Sequence, residues 1–315
     1  MAGQYGLTAA GPCSTSSNIN QRRILNNPLI GSVTQTDDGG TQSYNGLLLN
    51  ATWRKGNVNL GGNYTWSHCI GLPINTLSNI QSTYPHQPYQ NAGPVGRNLD
   101  VGDCYSGTLD IRHIANITLV ANSPKYKGGS FAKRLLADWT LSTIYSVRSG
   151  NPVTLWMSSD VAINGLYQGA GQYNDPQRPN QVLADTGAAN RGQGASCGGT
   201  NCVAWFNPAA FAAPATGTYG NMGVASLRGP GFWEWDQTVS RQFRITENQH
   251  LELRAEAFNV TNSVRFNLPV SGGTAGLQLG SGTFGYITTT TSTTGSTSPT
   301  GNGGRILQLA LKYVF

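Results

Sequence analysis

Five cysteines and four histidines are the residues of this 315-residue chain best suited to chemistry. A metal site needs several Cys or His ligands at close spacing. Only Cys197 and Cys202 approach that, bracketing Gly-Gly-Thr-Asn, and no histidine lies near them. His68, His86, His113 and His250 are dispersed. Asp110 and His113 stand three apart in a segment that alternates like a strand, which sends them to opposite faces and denies them a dyad. A Gly-x-Ser-x-Gly elbow, a P-loop and a dinucleotide fingerprint are all missing. Asn50, Asn63, Asn116 and Asn259 each open an Asn-x-Thr triplet, but all four fall in expected strands and read as small polar positions rather than glycosylation sites. The expectation is a protein that is not an enzyme and holds no metal or other cofactor.

The elements that carry these residues are legible in the composition. Only 11% of positions are charged, against about 25% in ordinary soluble domains. Gly, Ser, Thr, Asn and Gln take the place of charge, which argues against helical bundles, coiled coils and charged tails. A net charge of +6 would tolerate nucleic acid, yet the bases are scattered and no stripe alternates with aromatics, so no nucleic-acid partner is expected. No apolar run reaches membrane-helix length, the most apolar stretch being residues 117–121. The first residues lack the basic and apolar regions of a secretory signal.

Two-residue alternation predicts strands over 44–54, 58–67, 108–121, 137–149, 232–245, 249–260 and 305–315, with one short helix over 130–136. Leu47, Leu49, Ala51 and Trp53 share a face in the first, and Val58, Leu60, Tyr64 and Trp66 in the second. The turn at 55–57 makes a hairpin of the two. The last strand carries Leu307, Leu309, Leu311, Tyr313 and Phe315 on one face. Long stretches rich in Gly, Pro, Asn and Ser separate the strands, notably 68–107, 159–231 and 261–304. The last holds a Thr-rich low-complexity run unable to bury a core.

Soluble sandwiches and membrane barrels both write apolar/polar strands. Three features favour the membrane. The strands reach about ten residues, the length a tilted strand needs to cross a bilayer. Their other face is neutral and polar, as in a lumen. Trp53, Trp66, Trp139, Trp233 and Trp235 gather near strand ends, as in an interfacial girdle. If Phe315 ends in the periplasm, the links 55–57, 122–136 and 246–249 all fall there, and every long loop falls outside, the asymmetry of bacterial barrels. The fold class expected is all-β: an antiparallel transmembrane β-barrel segment with long extracellular loops and short periplasmic turns, in the outer membrane of a Gram-negative bacterium. The cysteines then lie in an oxidising setting. Cys69 with Cys104 would staple the base of one loop, and Cys197 with Cys202 a local one, among several pairings that five cysteines allow. Ligand contact is expected on the outer loops, with Tyr84, Tyr89, Trp156, Tyr167, Tyr173 and Trp205 as aromatic candidates.

The stretches Asn20-Gln-Arg-Arg, Ser43-Tyr-Asn-Gly-Leu, Asn63-Tyr-Thr-Trp-Ser, Asp110-Ile-Arg-His, Arg178-Pro-Asn, Trp205-Phe-Asn-Pro-Ala-Ala-Phe, Leu227-Arg-Gly-Pro-Gly-Phe, Arg254-Ala-Glu-Ala-Phe-Asn-Val-Thr-Asn and the terminal Leu-Lys-Tyr-Val-Phe span the chain in order. In these the chain resembles the C-terminal barrel region of TonB-dependent outer-membrane receptors, particularly the Oar-like ones. The resemblance implies a 22-stranded barrel closed by a plug domain and importing a scarce small ligand with energy relayed by TonB. It also implies that Leu307, Leu309, Leu311, Tyr313 and Phe315 form the terminal signal read by the barrel-assembly machinery. With seven strands and neither plug nor TonB box, residues 1–315 are expected to be the C-terminal part of such a barrel, a fragment not competent for transport alone. TonB would then be a partner only through the absent plug, while outer-membrane lipid contacts the strands directly. A secreted β-rich binding or adhesion module is the alternative reading. A small independent barrel channel, needing an eighth strand within residues 1–43, is another.

Overall fold

The computed structural model describes residues 15–18, 42–71, 102–103, 110–125, 129, 131–163, 177–197, 200–223, 225–247, 249–269, 275–289 and 304–315. Seven long strands dominate: β1 (Gln42–Lys55), β2 (Val58–Gly71), β3 (His113–Asn122), β4 (Trp139–Arg148), β5 (Phe232–Arg244), β6 (His250–Phe258) and β7 (Ile306–Val314). Their order in the sheet is their order in the chain, and every neighbouring pair is antiparallel. Among the described residues the sheet is therefore an up-and-down meander with β1 at one side and β7 at the other, and a two-residue strand, Gly102–Asp103, extends it beside the end of β2.

The links sort by length onto two ends. β1 and β2 join through a two-residue turn, since Lys55 pairs with Val58. Gly56 takes a φ of 55° there, the left-handed start that such a hairpin turn requires. β5 and β6 join through a short turn as well, Ile245 N–H and Thr246 N–H both donating to Gln249 O. A six-residue helix α1 (Phe131–Leu136) lies in the β3–β4 link at this same end. The three long connections leave from the opposite end.

Strand boundaries differ from the alternation in instructive places. β3 begins at His113, not at residue 108, because Asp110 turns inward to accept a hydrogen bond from Cys69 N–H at 2.8 Å. β2 runs on to Gly71 rather than stopping at 67. Asn259 lies beyond β6, not within it: its φ is 50°, outside anything a strand allows.

The apolar core is not in the sheet. Apart from Cys69, no apolar residue of the seven strands is buried among the described residues, and Leu307 and Leu309 are 69% and 82% exposed. Buried apolar residues instead gather in the long connections. Val153, Leu155, Phe206, Ala210, Phe211, Met222 and Leu227 from the β4–β5 connection pack with Leu277 and Phe284 from the β6–β7 connection. Short strand pairs lace the two connections together, Trp156–Met157 with Gln278–Leu279 and Val203–Ala204 with Tyr286–Ile287. These two connections thus form one folded cap. The Thr-rich run at 290–298, the stretch 1–14 and most of 72–109 lie outside the described residues.

Candidate functional site

The register separates two chemically distinct sheet faces. Ala51, Gly62, Ile117, Tyr145 and Trp235 are successive partners across five strands, and Ala257, Ala255, Leu253 and Leu251 of β6 face Leu307, Leu309, Leu311 and Tyr313 of β7. One residue along, the row reads Asn50, Asn63, Asn116, Ser146 and Glu234. Asn116 Nδ2 donates to Asn63 Oδ1 at 3.0 Å within it. A sheet with an uncovered apolar face and a hydrogen-bonded polar one needs lipid against the first and water or protein against the second.

Polar groups on the apolar face confirm its demands. Thr143 and Gln237 face one another there, and the Thr143 hydroxyl donates to Gln237 Oε1 while Gln237 Nε2 donates to Ser142 O. Arg241 is the one charged side chain inside that face among the described residues, Lys55 closing the hairpin tip. Its guanidinium lies over the Trp139 ring (5.1 Å) and the Phe243 ring (4.6 Å) at the short-turn rim. Aromatics bracket the face, Trp66, Trp233 and Trp235 toward the long connections and Trp53, Trp139, Phe243 and Tyr313 toward the short turns. Trp233 and Phe243 stand ten residues apart, roughly 33 Å of strand, which at a barrel tilt of about 40° gives roughly 25 Å of height, the thickness of an outer-membrane apolar band.

At the long-connection rim the cap is clasped to the sheet. Asp110, fully buried, accepts hydrogen bonds from Cys69 N–H and from the Arg228 guanidinium, with Arg112 at 3.6 Å. Burial pushes its carboxyl up, but the Cys69 N–H, the Arg228 hydrogen bond and the charges of Arg228 and Arg112 outweigh that and hold it below the usual carboxylate value. Arg228 also donates to Asp110 O at 2.7 Å. Its own carbonyl accepts the Trp205 indole N–H at 3.1 Å, and Arg191 stacks on Trp205 at 4.1 Å. One chain of contacts therefore joins β2, the β3 entrance and the cap. At Gly150 and Gly229, the exit from β4 and the approach to β5 pass so closely that a Cβ on Gly150 would meet the Gly229 carbonyl.

A second joint ties the β6–β7 connection to β5. Asn259 N–H donates to Asp236 Oδ1 at 2.9 Å, and the Asn259 side chain both accepts from Ser263 N–H and donates to Ser263 O at 3.0 Å. Arg265 pairs with Glu234. Asp236 and Glu234 belong to the polar face, so the cap is anchored on the lumen side of the rim.

The expected site residues are distributed as follows. Cys69 and Cys202 are buried and each is disulfide-bonded. Cys197 ends the short strand Gly194–Cys197, opposite Thr200, whereas Cys104 lies outside the described residues. Leu307, Leu309, Leu311 and Tyr313 line the apolar face of β7, and Phe315 stacks on Tyr313 at 5.9 Å. Of the loop aromatics, Trp156 and Trp205 are partly buried and pack against the cap core. Tyr84, Tyr89, Tyr167 and Tyr173 are outside the described residues. Alternation missed the clasp residues Arg228, Asn259 and Arg265, although the first two sit in the stretches Leu227-Arg-Gly-Pro-Gly-Phe and Phe258-Asn-Val-Thr-Asn that carry the family resemblance.

A family model described as an outer membrane beta barrel domain matches residues 2–308. The comparisons with curated proteins and with solved structures found no match.

Proposed function

The chain belongs to the outer membrane beta barrel domain family, so its sheet is outer-membrane barrel wall, and we propose that the cap lies outside the cell and that wall and cap serve TonB-dependent uptake of a small ligand. The observation that carries the reading is the folded cap, built from two connections and clasped to lumen-facing Glu234 and Asp236. A body held at the rim of the wall suits a receptor that captures a scarce ligand before it is passed inward. In this reading the chain performs no enzymatic reaction, outer-membrane lipid covers the apolar face, and the energy arrives from TonB through a plug domain.

The same reading assigns Leu307, Leu309, Leu311, Tyr313 and Phe315 as the signal for the barrel-assembly machinery. It pairs Cys69 with Cys104 and Cys197 with Cys202, both outside the cell where disulfides persist. Photo-crosslinking in the native host tests the central part. A TonB adduct of the outer-membrane protein is expected, and correct membrane insertion with no adduct contradicts the uptake reading.

A further inference from the structure

The short-turn rim holds an element that the barrel wall does not require. Helix α1 interrupts the β3–β4 link, where a turn of a few residues would join two antiparallel neighbours. Its large apolar side chains are turned outward: Phe131 is 80% exposed, Leu136 69% and Leu135 51%. Phe131 and Leu135 are four apart and share one side of the helix.

The side of the wall on which α1 lies is fixed by Trp139. That residue belongs to the lipid-facing row, opposite Arg241, and its indole N–H donates to Leu135 O at 2.8 Å. The last turn of α1 is therefore held on the lipid side of the rim, level with the aromatic belt of Trp139, Phe243 and Tyr313. The link closes through Asp138, whose N–H donates to Pro124 O at 3.2 Å, and Arg244 lies 3.5 Å from its carboxylate. Between Asn122 and Asp138 the sequence has Lys125, Lys133 and Arg134 among its bases and no acid at all. Asp138, where the link meets β4, faces Arg244.

We infer that α1 is an in-plane foot of the barrel wall that binds acidic phospholipid on the periplasmic leaflet of the outer membrane. An apolar helix side continuous with the lipid-facing belt, in a basic link, is the pattern by which interfacial helices combine buried area with attraction to anionic headgroups. The inference rests on the membrane orientation given above, because that orientation places the short-turn end on the phospholipid leaflet.

Flotation of the full chain with phosphatidylcholine vesicles, with and without phosphatidylglycerol, provides the test. Wild type is expected to prefer the phosphatidylglycerol vesicles, and the preference to fade with added salt. The Lys125→Gln/Lys133→Gln/Arg134→Gln variant is expected to enter neutral vesicles as wild type does while losing roughly fivefold in the anionic preference for each base removed. A wild type indifferent to phosphatidylglycerol, or a variant that keeps the full preference, overturns the inference. Entry into neutral vesicles reads the barrel wall itself, so the wall and the foot fail separately.

Discussion

Replacing Arg228 by Ala would strand the buried Asp110 carboxylate with Arg112 as its remaining charge partner and free the Asp110 carbonyl. Removing one member of a buried pair costs about 3 kcal/mol. Limited proteolysis of the cap in intact outer membranes should show faster cleavage in Arg228→Ala; unchanged protection would contradict a role for the clasp. The same group sets an acid limit. Its folded pKa lies below its unfolded one, so the stabilisation is complete above the ordinary carboxylate value of about 3.9 and is lost as pH falls through the lower folded value. Cap protection should therefore hold from neutral pH down to that range and decline below it, and Asp110→Asn should lack this acid-dependent loss. Asp110 and Arg228 both stand in stretches that carry the family resemblance, but their partnership spans 118 positions and no local pattern announces it.

At the scale of elements, faces decide outcomes. Leu309 lies on the lipid side of β7 opposite Ala255, and Gln308 on the lumen side opposite Glu256. Leu309→Arg places a charge against lipid and should cost about 2–4 kcal/mol, while Gln308→Arg should be close to neutral. Urea titration of the refolded chain in detergent or lipid bilayers reads the difference, and equal effects would mean that the faces are wrongly assigned. In the cap, Phe206→Ala should cost about 3–5 kcal/mol and release both connections together, because Phe206 packs in a core that both supply. Proteolytic cleavage confined to residues 150–231 would argue against a shared core. All seven strands were legible because lipid on one side and lumen on the other enforce a period of two along each. The cap was not. Val153, Phe206, Met222, Leu277 and Phe284 are single residues set among glycines and prolines in two distant stretches, and such a core has no period to read.

Over the whole molecule, low charge and long loops have one explanation. Half of each strand meets lipid, where charge is costly, and the other half carries neutral amides and hydroxyls, with most strand charges toward the rims. Among the described residues the sheet has β1 and β7 at its edges, and an edge left open in lipid would cost several kcal/mol for each unpaired backbone group, so both edges have to find partners in the membrane. The sorting of short and long links onto opposite ends of the sheet was readable from sequence, since each short link alternates with a long one. The clasp on the cap joins Asp110 to Arg228 across 118 positions, a distance over which no link length or period carries information.

The central claim, a membrane wall with its cap outside the cell, is tested most directly by epitope tags at two turns in the native host. One is inserted at the exposed cap tip around Gly217 and the other at the β5–β6 turn beside Glu247. Antibody should label the Gly217 tag on intact cells and reach the Glu247 tag only after the outer membrane is permeabilised. Labelling of both tags on intact cells, or of the Glu247 tag alone, would contradict the account.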